Sequence, residues 1–266
     1  MHEFDYHQPR RVEEAAQLLS AKGDARALAG GMSLLPALKL RLARYSDLVG
    51  LDGVEGLSGI SRVDDAVVIG AMTRHHEVAY SAEVRQAVPA LAVLAGGIGD
   101  PMVRNRGTIG GSIANADPAA DYPSAVLGLG AAVVTDRRGI AGDEFFTGLF
   151  ETALAPGEII TKVRFPIPQA AAYVKLPNPA SRFALVGVFV ARFADHVRVA
   201  VTGAGPCVFR LERAEQLLAQ RFASRALEGF KVEPEGLNSD IHATAEYRAH
   251  AVGVILRTAV EAASHP

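Results

Sequence analysis

Two glycine-rich segments constrain this chain more than any other feature of its sequence. The first, Gly30–Ser33, follows the apolar run Ala25–Ala29 and precedes a predicted helix, Leu34–Leu42, for which Ser33 is the candidate N-cap. A strand, a glycine turn and a helix N-terminus in this order present unpaired backbone N–H groups and the positive end of the helix dipole to an anion. Taken alone, an ordinary strand-to-helix turn explains the same residues more simply.

The second segment, residues 96–111, contains six glycines in sixteen positions. Because glycine has no Cβ, the backbone here can approach a ligand closely, and consecutive N–H groups can form a concavity that suits a phosphate. A long irregular surface loop is the alternative interpretation. Two such turns in one domain favour a dinucleotide ligand more than either turn does by itself.

The fingerprint of a nicotinamide-binding Rossmann domain is absent. Gly128 and Gly130 are followed by Ala131, Ala132 and Val133, so the third small residue of that fingerprint does not fall where it should. The pair also precedes a predicted strand, whereas the fingerprint follows one and opens a helix. We interpret these glycines as a tight turn.

Composition excludes several other classes. The chain has 27 Lys+Arg against 29 Asp+Glu, a formal net charge of −2, and no basic cluster of the kind that binds nucleic acid. Its single cysteine, Cys207, excludes an internal disulfide and cannot by itself supply a thiolate zinc site or an iron–sulfur cluster. The N-terminus has no apolar signal core, and the apolar stretches are too short to span a bilayer, so we expect a cytoplasmic protein without a membrane span.

Short strands and helices alternate without a regular βαβ order, which predicts an α+β fold. A length of 266 residues suggests two domains, and the prolines and small residues of Pro166–Ala172 predict a linker between domains at 1–168 and 169–266. The second domain shows two strand-like runs joined by a plausible hairpin and then two helical runs, which lie at Ala184–Phe193, Val197–Gly203, Leu211–Ala219 and Tyr247–Ala262.

Isolated polar residues give weaker indications. The adjacent pair His75 and His76 has no third metal ligand nearby and is interpreted as a solvated helix start. Asp117 and Asp121 either share a helix face or flank a turn at Pro118, and their carboxylates suit ribose hydroxyls and helix capping equally well. Cys207 fits a small buried hydrophobe better than a nucleophile.

The two glycine segments, read with the residues around them, resemble a known family. The stretches Ala29–Pro36 and Ile98–Ser112 resemble the two flavin motifs of the FAD-binding medium subunits of molybdenum hydroxylases, the relatives of carbon monoxide dehydrogenase and xanthine dehydrogenase. The second motif continues through Asn115–Pro123 as it does in that family, and Thr152–Ile160 and Arg182–Val188 fit as well. The resemblance covers nearly the whole chain, in order and at the expected spacing.

This resemblance implies a fold and a division of labour. The fold would be a para-cresol-methylhydroxylase-type FAD domain in two subdomains, followed by a C-terminal domain with a three-stranded antiparallel sheet and helices. FAD would bind to this chain, molybdopterin to a large partner subunit and 2Fe-2S clusters to a small one, in a dimer of heterotrimers. An external quinone, oxygen or NAD would accept the electrons, and this chain would supply neither a catalytic base nor a metal ligand.

The resemblance also assigns roles to individual residues. The backbone from Gly30 to Leu35, after Ala29, would hold the FAD pyrophosphate, and Ile98 and Gly99 would lie near the isoalloxazine. Asp121 would bind ribose hydroxyls, Ile160 would contact the adenine side, and Lys175 would reach the flavin from the C-terminal domain. The second phosphate and the ribityl region would contact residues of the second segment, namely Thr108, Gly110, Gly111 and Ser112. The pyrophosphate turn from Gly30 to Leu35 also contains Gly31, Met32, Ser33 and Leu34.

Two positions depart from the family pattern. Met32 stands where the family commonly has Gln, His or Asn, and Asp100 replaces a common His.

Two other functions remain as alternatives: a free-standing flavin oxidase of the same domain superfamily, and a flavin-free assembly protein whose glycine loops dock a partner.

Overall fold

A computed structural model describes residues 1–264 of the chain. The strands are β1 (Asp5–His7), β2 (Ala25–Leu28), β3 (Asp47–Gly50), β4 (Ile60–Val63), β5 (Ala66–Gly70), β6 (Ala132–Thr135), β7 (Gly139–Ala141), β8 (Phe146–Gly148), β9 (Glu151–Thr152), β10 (Ile160–Pro166), β11 (Ala170–Pro177), β12 (Ala184–Arg192), β13 (Val197–Thr202) and β14 (Phe209–Arg210). The helices are α1 (Val12–Ala21), α2 (Leu34–Lys39), α3 (His75–Tyr80), α4 (Ala82–Ala87), α5 (Pro89–Gly96), α6 (Pro101–Arg104), α7 (Ile109–Asn115), α8 (Tyr122–Gly128), α9 (Gly142–Phe145), α10 (Glu212–Gln220) and α11 (Ala245–Ser264).

A small parallel sheet opens the chain and carries the first glycine segment. Its strands lie in the order β1-β3-β2, and helix α1 covers it through the buried Ala15. The apolar stripe of α1 meets Val49 and Leu51 in one cluster of buried side chains. Because β2 ends at Leu28, the first glycine segment emerges directly from the end of a strand in this sheet.

A second, antiparallel sheet carries the other glycine segment. Its five strands lie in the order β4-β5-β10-β6-β7, and helices α3, α4, α5, α7 and α8 contribute buried side chains to the core around it. Ile109 and Ile113 of α7 are fully buried against this core, together with Val163 and Phe165 of β10. The second segment is therefore anchored in the main core by its last residues, from Gly107 onward, whereas its earlier residues are exposed or half-buried.

The C-terminal sheet is antiparallel and is covered on both faces. Three long strands, β11, β12 and β13, form it as expected, and the two-residue β14 adds a fourth. Tyr173 and Phe189 face the core that contains α5 and α8, whereas Val188 and Val190 face α10 and α11. The sheet thus lies between the half of the chain that carries the glycine segments and the C-terminal helices, and it packs against both. The α+β prediction is confirmed.

Two local predictions and one alternative interpretation are corrected. The predicted linker Pro166–Ala172 is mostly strand, because β10 extends to Pro166 and residues 170–172 pair with residues 190–192 of β12. Helix α2 ends at Lys39, short of the predicted Leu42, because Arg41 adopts a left-handed conformation with φ 58° and the Leu42 N–H bonds back to the Ala37 carbonyl. Residues 96–111 are not an irregular loop, since α6 and the start of α7 lie within them.

The turn predicted at Gly128 and Gly130 is confirmed. Gly128 closes helix α8, and Gly130 has φ 59° just before strand β6.

In residues 1–264 no helix is both long enough and apolar enough to cross a membrane.

Candidate FAD-binding site

The first glycine segment leaves a run of backbone donors free. Gly31 has φ 76°, which glycine adopts without strain, and this turns the chain from β2 into α2. Within the described chain, the N–H groups of residues 30–34 donate no hydrogen bond, and the first bonded amide is that of Leu35, to the Gly31 carbonyl at 3.1 Å. Ser33 does not cap α2 through its side chain, contrary to expectation, so its hydroxyl also leaves these donors free.

The free donors lie at the edge of the fold. Gly30 and Gly31 are buried, whereas Met32 and Ser33 are exposed and Leu34 is half-buried. Unpaired N–H groups at the start of a helix carry the positive end of the helix dipole. These N–H groups are donors that an anionic ligand can accept.

The two glycine segments lie against each other. A Cβ on Gly30 would lie 2.1 Å from the carbonyl oxygen of Arg106, and a Cβ on Gly111 would lie 3.1 Å from the Cβ of Ala29. No side chain fits in the first of these contacts without displacing backbone. The structure therefore brings the residues predicted for the first motif, Ala29 to Leu35, together with those predicted for the second.

The second segment uses its own amides to hold itself in place. The Gly110 N–H donates to the carbonyl of Ala71 at 2.8 Å, and the Gly111 N–H donates to the Thr108 hydroxyl oxygen at 3.1 Å as the N-cap bond of α7. The Ser112 N–H bonds to the Thr108 carbonyl at 3.0 Å. The Ser112 amide is therefore occupied, which leaves the Ser112 hydroxyl as its donor for a ligand.

A short helix explains the departure at Asp100. The Asp100 carboxylate accepts the N–H of Val103 at 2.8 Å and so caps α6. Arg104, at the other end of α6, donates to the carbonyls of Ile98 at 2.9 Å and Gly99 at 3.0 Å. Ile98 and Gly99 are thereby held in a defined position, with Gly99 at φ 48°.

Asp121 and Lys175 are joined directly, across the boundary between the two halves of the chain. The Lys175 Nζ lies 2.9 Å from Asp121 Oδ1, and the Tyr173 hydroxyl donates to the same oxygen at 2.5 Å. Asp121 is only 4 % exposed, so its burial raises its pKa, while Lys175 and Tyr173 oppose that rise. Asp117 and Asp121 flank the Pro118 turn, and Asp121 makes no capping bond to α8.

Ile160 stands apart from the other predicted residues. Its side chain is 5 % exposed and belongs to the main buried core. Its connection to the glycine segments runs through the backbone, because the next residue, Thr161, accepts the N–H of Ala71, which in turn accepts that of Gly110. Its contact with adenine stays a prediction.

His75 corrects the prediction for the histidine pair. His76 is exposed as expected, but His75 is buried, and its backbone N–H donates to the carbonyl of Gly107 at 3.0 Å. Burial, and then the nearby Arg104, lower the pKa of His75 to about 4, so the ring is neutral at pH 7. In the described residues no three His, Cys, Asp or Glu side chains are grouped so as to hold a metal ion.

Sequence reasoning missed three residues of this region. Tyr173 lies two positions before Lys175 on β11, and the alternation of a strand would have placed both on one face had the segment been predicted as strand. Arg104 bonds within the second segment, to the carbonyls of Ile98 and Gly99, and His75 bonds to that segment across the sequence, through the carbonyl of Gly107. No periodic pattern indicates either contact.

The residues present fit FAD. Its pyrophosphate carries two negative charges, and the free N–H groups of residues 30–34 supply donors and the helix dipole at one place. Gly30 lies close to Arg106, and Gly111 lies close to Ala29, so the first and second glycine segments pack against each other at the place where FAD would bind.

Comparisons with known proteins agree with this geometry. Residues 2–168 match the family described as the FAD binding domain in molybdopterin dehydrogenase. The chain is 35% identical to the carbon monoxide dehydrogenase medium chain of Hydrogenophaga pseudoflava, over 98% of this chain and 96% of that one. It is 37% identical to the nicotine 6-hydroxylase medium subunit of Paenarthrobacter nicotinovorans, over 97% and 96% of the two chains.

Solved structures show the same likeness. A chain of the reconstituted CO dehydrogenase from Oligotropha carboxidovorans superposes with a TM-score of 0.90 at 34% identity, covering 98% of each chain. A chain of the quinoline 2-oxidoreductase from Pseudomonas putida 86 superposes with a TM-score of 0.89 at 30% identity, covering 99% of this chain and 98% of that one.

Proposed function

This chain belongs to the FAD-binding medium subunits of the molybdenum hydroxylase type of dehydrogenase, and from that membership we propose that it transfers electrons from 2Fe-2S clusters on a partner subunit, through bound FAD, to an external acceptor. It is an oxidoreductase subunit. The acceptor would be a quinone, oxygen or NAD.

The observation that carries the proposal is the run of free N–H groups in the first glycine segment. The backbone from Gly30 to Leu35 would hold the FAD pyrophosphate, because these donors have no other acceptor in the described chain. Thr108 and Ser112 would bind the second phosphate and ribityl region through their hydroxyls. Gly110 and Gly111 would act through their small size, which lets the segment pack tightly against Ala71 and the first turn.

Residues around the second segment would position the flavin. Ile98 and Gly99 would lie beside the isoalloxazine, held there by Arg104. Lys175 would present its charge from the C-terminal domain, and Asp121, already bound to Lys175, would reach ribose hydroxyls. Ile160 would contact the adenine side. We place the domain boundary between residues 168 and 169.

Bound FAD would supply the redox chemistry, since it can take up and release electrons singly or in pairs. The chain's own residues would bind the FAD, orient it and stabilise its charge. We assign none of them as a general base. A large molybdopterin subunit and a small 2Fe-2S subunit would complete the assembly as a dimer of heterotrimers. The relatives' names include carbon monoxide, nicotine and quinoline enzymes, so we infer that the partner selects the substrate.

The first test is ligand binding to the purified chain. We expect one non-covalent FAD per chain, released by acid, and much weaker binding of FMN, which lacks the pyrophosphate. A folded chain that takes up no added FAD would contradict the proposal and favour the assembly-protein alternative.

The second test separates a subunit from a free-standing oxidase. FAD-loaded chain is mixed with candidate reductants, including aldehydes, purines and N-heterocycles, and the visible flavin band is followed. We expect no bleaching without the partner subunits, and rapid reoxidation by an acceptor once the flavin has been reduced chemically. Bleaching by a small substrate with this chain alone would favour the oxidase.

A further inference from the structure

The hydroxyl group of Tyr173 lies where the two halves of the chain meet. Tyr173 is 8 % exposed, and its ring is stacked near Phe189 with centroids 6.2 Å apart. Its hydroxyl donates to Asp121 Oδ1 at 2.5 Å, from strand β11 to the residue that precedes helix α8. Burial raises the pKa of Tyr173 well above its ordinary value, so the hydroxyl keeps its proton and stays a donor.

The fold makes room for this hydroxyl. Gly187 lies on the neighbouring strand β12, paired with Lys175. A Cβ on Gly187 would lie 2.5 Å from the Tyr173 hydroxyl oxygen. The absence of a side chain at residue 187 therefore allows the Tyr173 hydroxyl to occupy its position beside Asp121.

The ammonium group of Lys175 is fully used by protein acceptors. Besides Asp121 Oδ1 at 2.9 Å, it contacts the carbonyl of Gly97 at 2.9 Å and that of Arg182 at 3.0 Å. A lysine has three N–H donors, and these three acceptors come from the start of the second glycine segment, from the residue that precedes helix α8 and from the C-terminal domain. The position of Lys175 thus sets how the second segment lies against the C-terminal sheet.

We propose that Tyr173 is a positioning residue, which holds the Asp121 carboxylate against Lys175 and so fixes residues 97–121 and the Lys175 charge at the FAD site. The carboxylate shares one oxygen between a hydroxyl and an ammonium group. Without the hydroxyl, the carboxylate can rotate about its side-chain bonds, and Lys175 follows it. The proposal rests on the proposed function in one respect only, which is that FAD is the ligand of this site.

The test uses Tyr173→Phe, which removes the hydroxyl and keeps the ring. Because hydrogen bonds to charged groups are the stronger ones, we expect the Kd for FAD to rise roughly tenfold. The hydroxyl directs its positive end at the carboxylate, so its loss leaves the local potential more negative and lowers the midpoint potential of bound FAD. In the FAD-free chain, the Gly97 and Ile98 amides, bonded to carbonyls of α5, should exchange faster with solvent.

Two further variants complete the test. Tyr247→Phe, at an exposed tyrosine on α11, is the matched control and should leave all three quantities at the wild-type value. Gly187→Ala should reproduce the effects of Tyr173→Phe, since its Cβ displaces the hydroxyl. Adding Tyr173→Phe to Gly187→Ala should then cause little further loss, because both changes act on the same contact.

The outcomes separate this inference from the proposed function. Binding of FAD by the wild-type chain tests the proposed function, and the difference between Tyr173→Phe and wild type tests the positioning role. Wild-type Kd, potential and amide exchange in Tyr173→Phe would overturn the inference even if FAD binds. If the wild-type chain binds no FAD, amide exchange still decides whether Tyr173 holds residues 97–121.

Discussion

The two glycine segments use the same residue type in opposite ways. In the first, the N–H groups of residues 30–34 have no acceptor in the described chain. In the second, the amides of Gly110 and Gly111 are bound to Ala71 and Thr108. The first segment thus offers free donors and packs against its neighbour, whereas the second segment is held by its own hydrogen bonds.

The difference teaches what glycine does at each place. Gly31 is required for its conformation, since φ is 76°, and it turns the chain so that the donors stay free. Gly110 has no such conformation, and its small size matters because a Cβ would lie 2.6 Å from the Cβ of Ala71. We therefore expect changes in the first segment to affect ligand binding, and changes in the second to affect folding stability.

The largest expected effect is on stability in the second segment. Gly110→Ala forces a Cβ into contact with Ala71, whose carbonyl oxygen would lie at 2.7 Å. We expect the free energy of unfolding of the FAD-free chain to fall by about 2–3 kcal/mol. Urea denaturation measures it.

The matched control for that change is Gly139→Ala. An added Cβ on Gly139, in strand β7, meets no atom within 4 Å. We expect its unfolding free energy to stay within about 0.5 kcal/mol of wild type. Equal stability of the two variants would contradict the supporting role of the second segment.

The next effect is on binding at the first segment. Met32 is exposed, and Met32→Glu places a carboxylate beside the free N–H groups, where it competes with the FAD pyrophosphate. We expect the Kd for FAD to rise about tenfold, equivalent to about 1.4 kcal/mol. Isothermal titration measures it, at low and at high salt.

Met32→Gln is the control, because it has nearly the same shape and no charge. Its Kd for FAD should match wild type, and its FAD-free chain should be as stable as the wild-type chain. If Met32→Glu and Met32→Gln bind FAD equally well, the pyrophosphate does not lie on this turn.

The smallest effect compares the two helix starts. Thr108 accepts the Gly111 N–H and caps α7, whereas Ser33 makes no capping bond at α2. We expect Thr108→Val to lower the unfolding free energy by about 1 kcal/mol and Ser33→Ala to lower it by less than about 0.5 kcal/mol. Thermal denaturation of both FAD-free variants measures this difference. A larger loss of stability in Ser33→Ala than in Thr108→Val would contradict the assignment of Thr108 as the capping residue and of Ser33 as a residue that caps nothing.

Sequence alone predicted the first segment better than the second, for a physical reason. The order of strand, turn and helix around Gly30 and Gly31 is local, and short-range patterns indicate it. The amides of the second segment instead bond to Ala71 and Thr73, which lie well before them in the chain. Contacts of that kind leave no periodic signal, so the segment resembled an irregular loop.

The C-terminal side shows the same limit. Residues 170–172 are small and follow prolines, which indicated a linker, yet they pair with β12 in a continuous ladder. That interpretation hid strand β11, and with it the position of Tyr173 beside Lys175. The burial of His75 was missed for the same reason. Its backbone N–H donates to the carbonyl of Gly107, which lies far along the chain, and no local pattern indicates that contact.

Amide hydrogen exchange, followed with and without FAD, tests the central contrast most directly. In the FAD-free chain, we expect fast exchange at residues 30–34 and slow exchange at Gly110 and Gly111, whose N–H groups are already bonded. Added FAD should slow exchange at residues 30–34 and leave Gly110 and Gly111 nearly unchanged. Protection that appears at Gly110 and Gly111 but not at residues 30–34 would contradict the account.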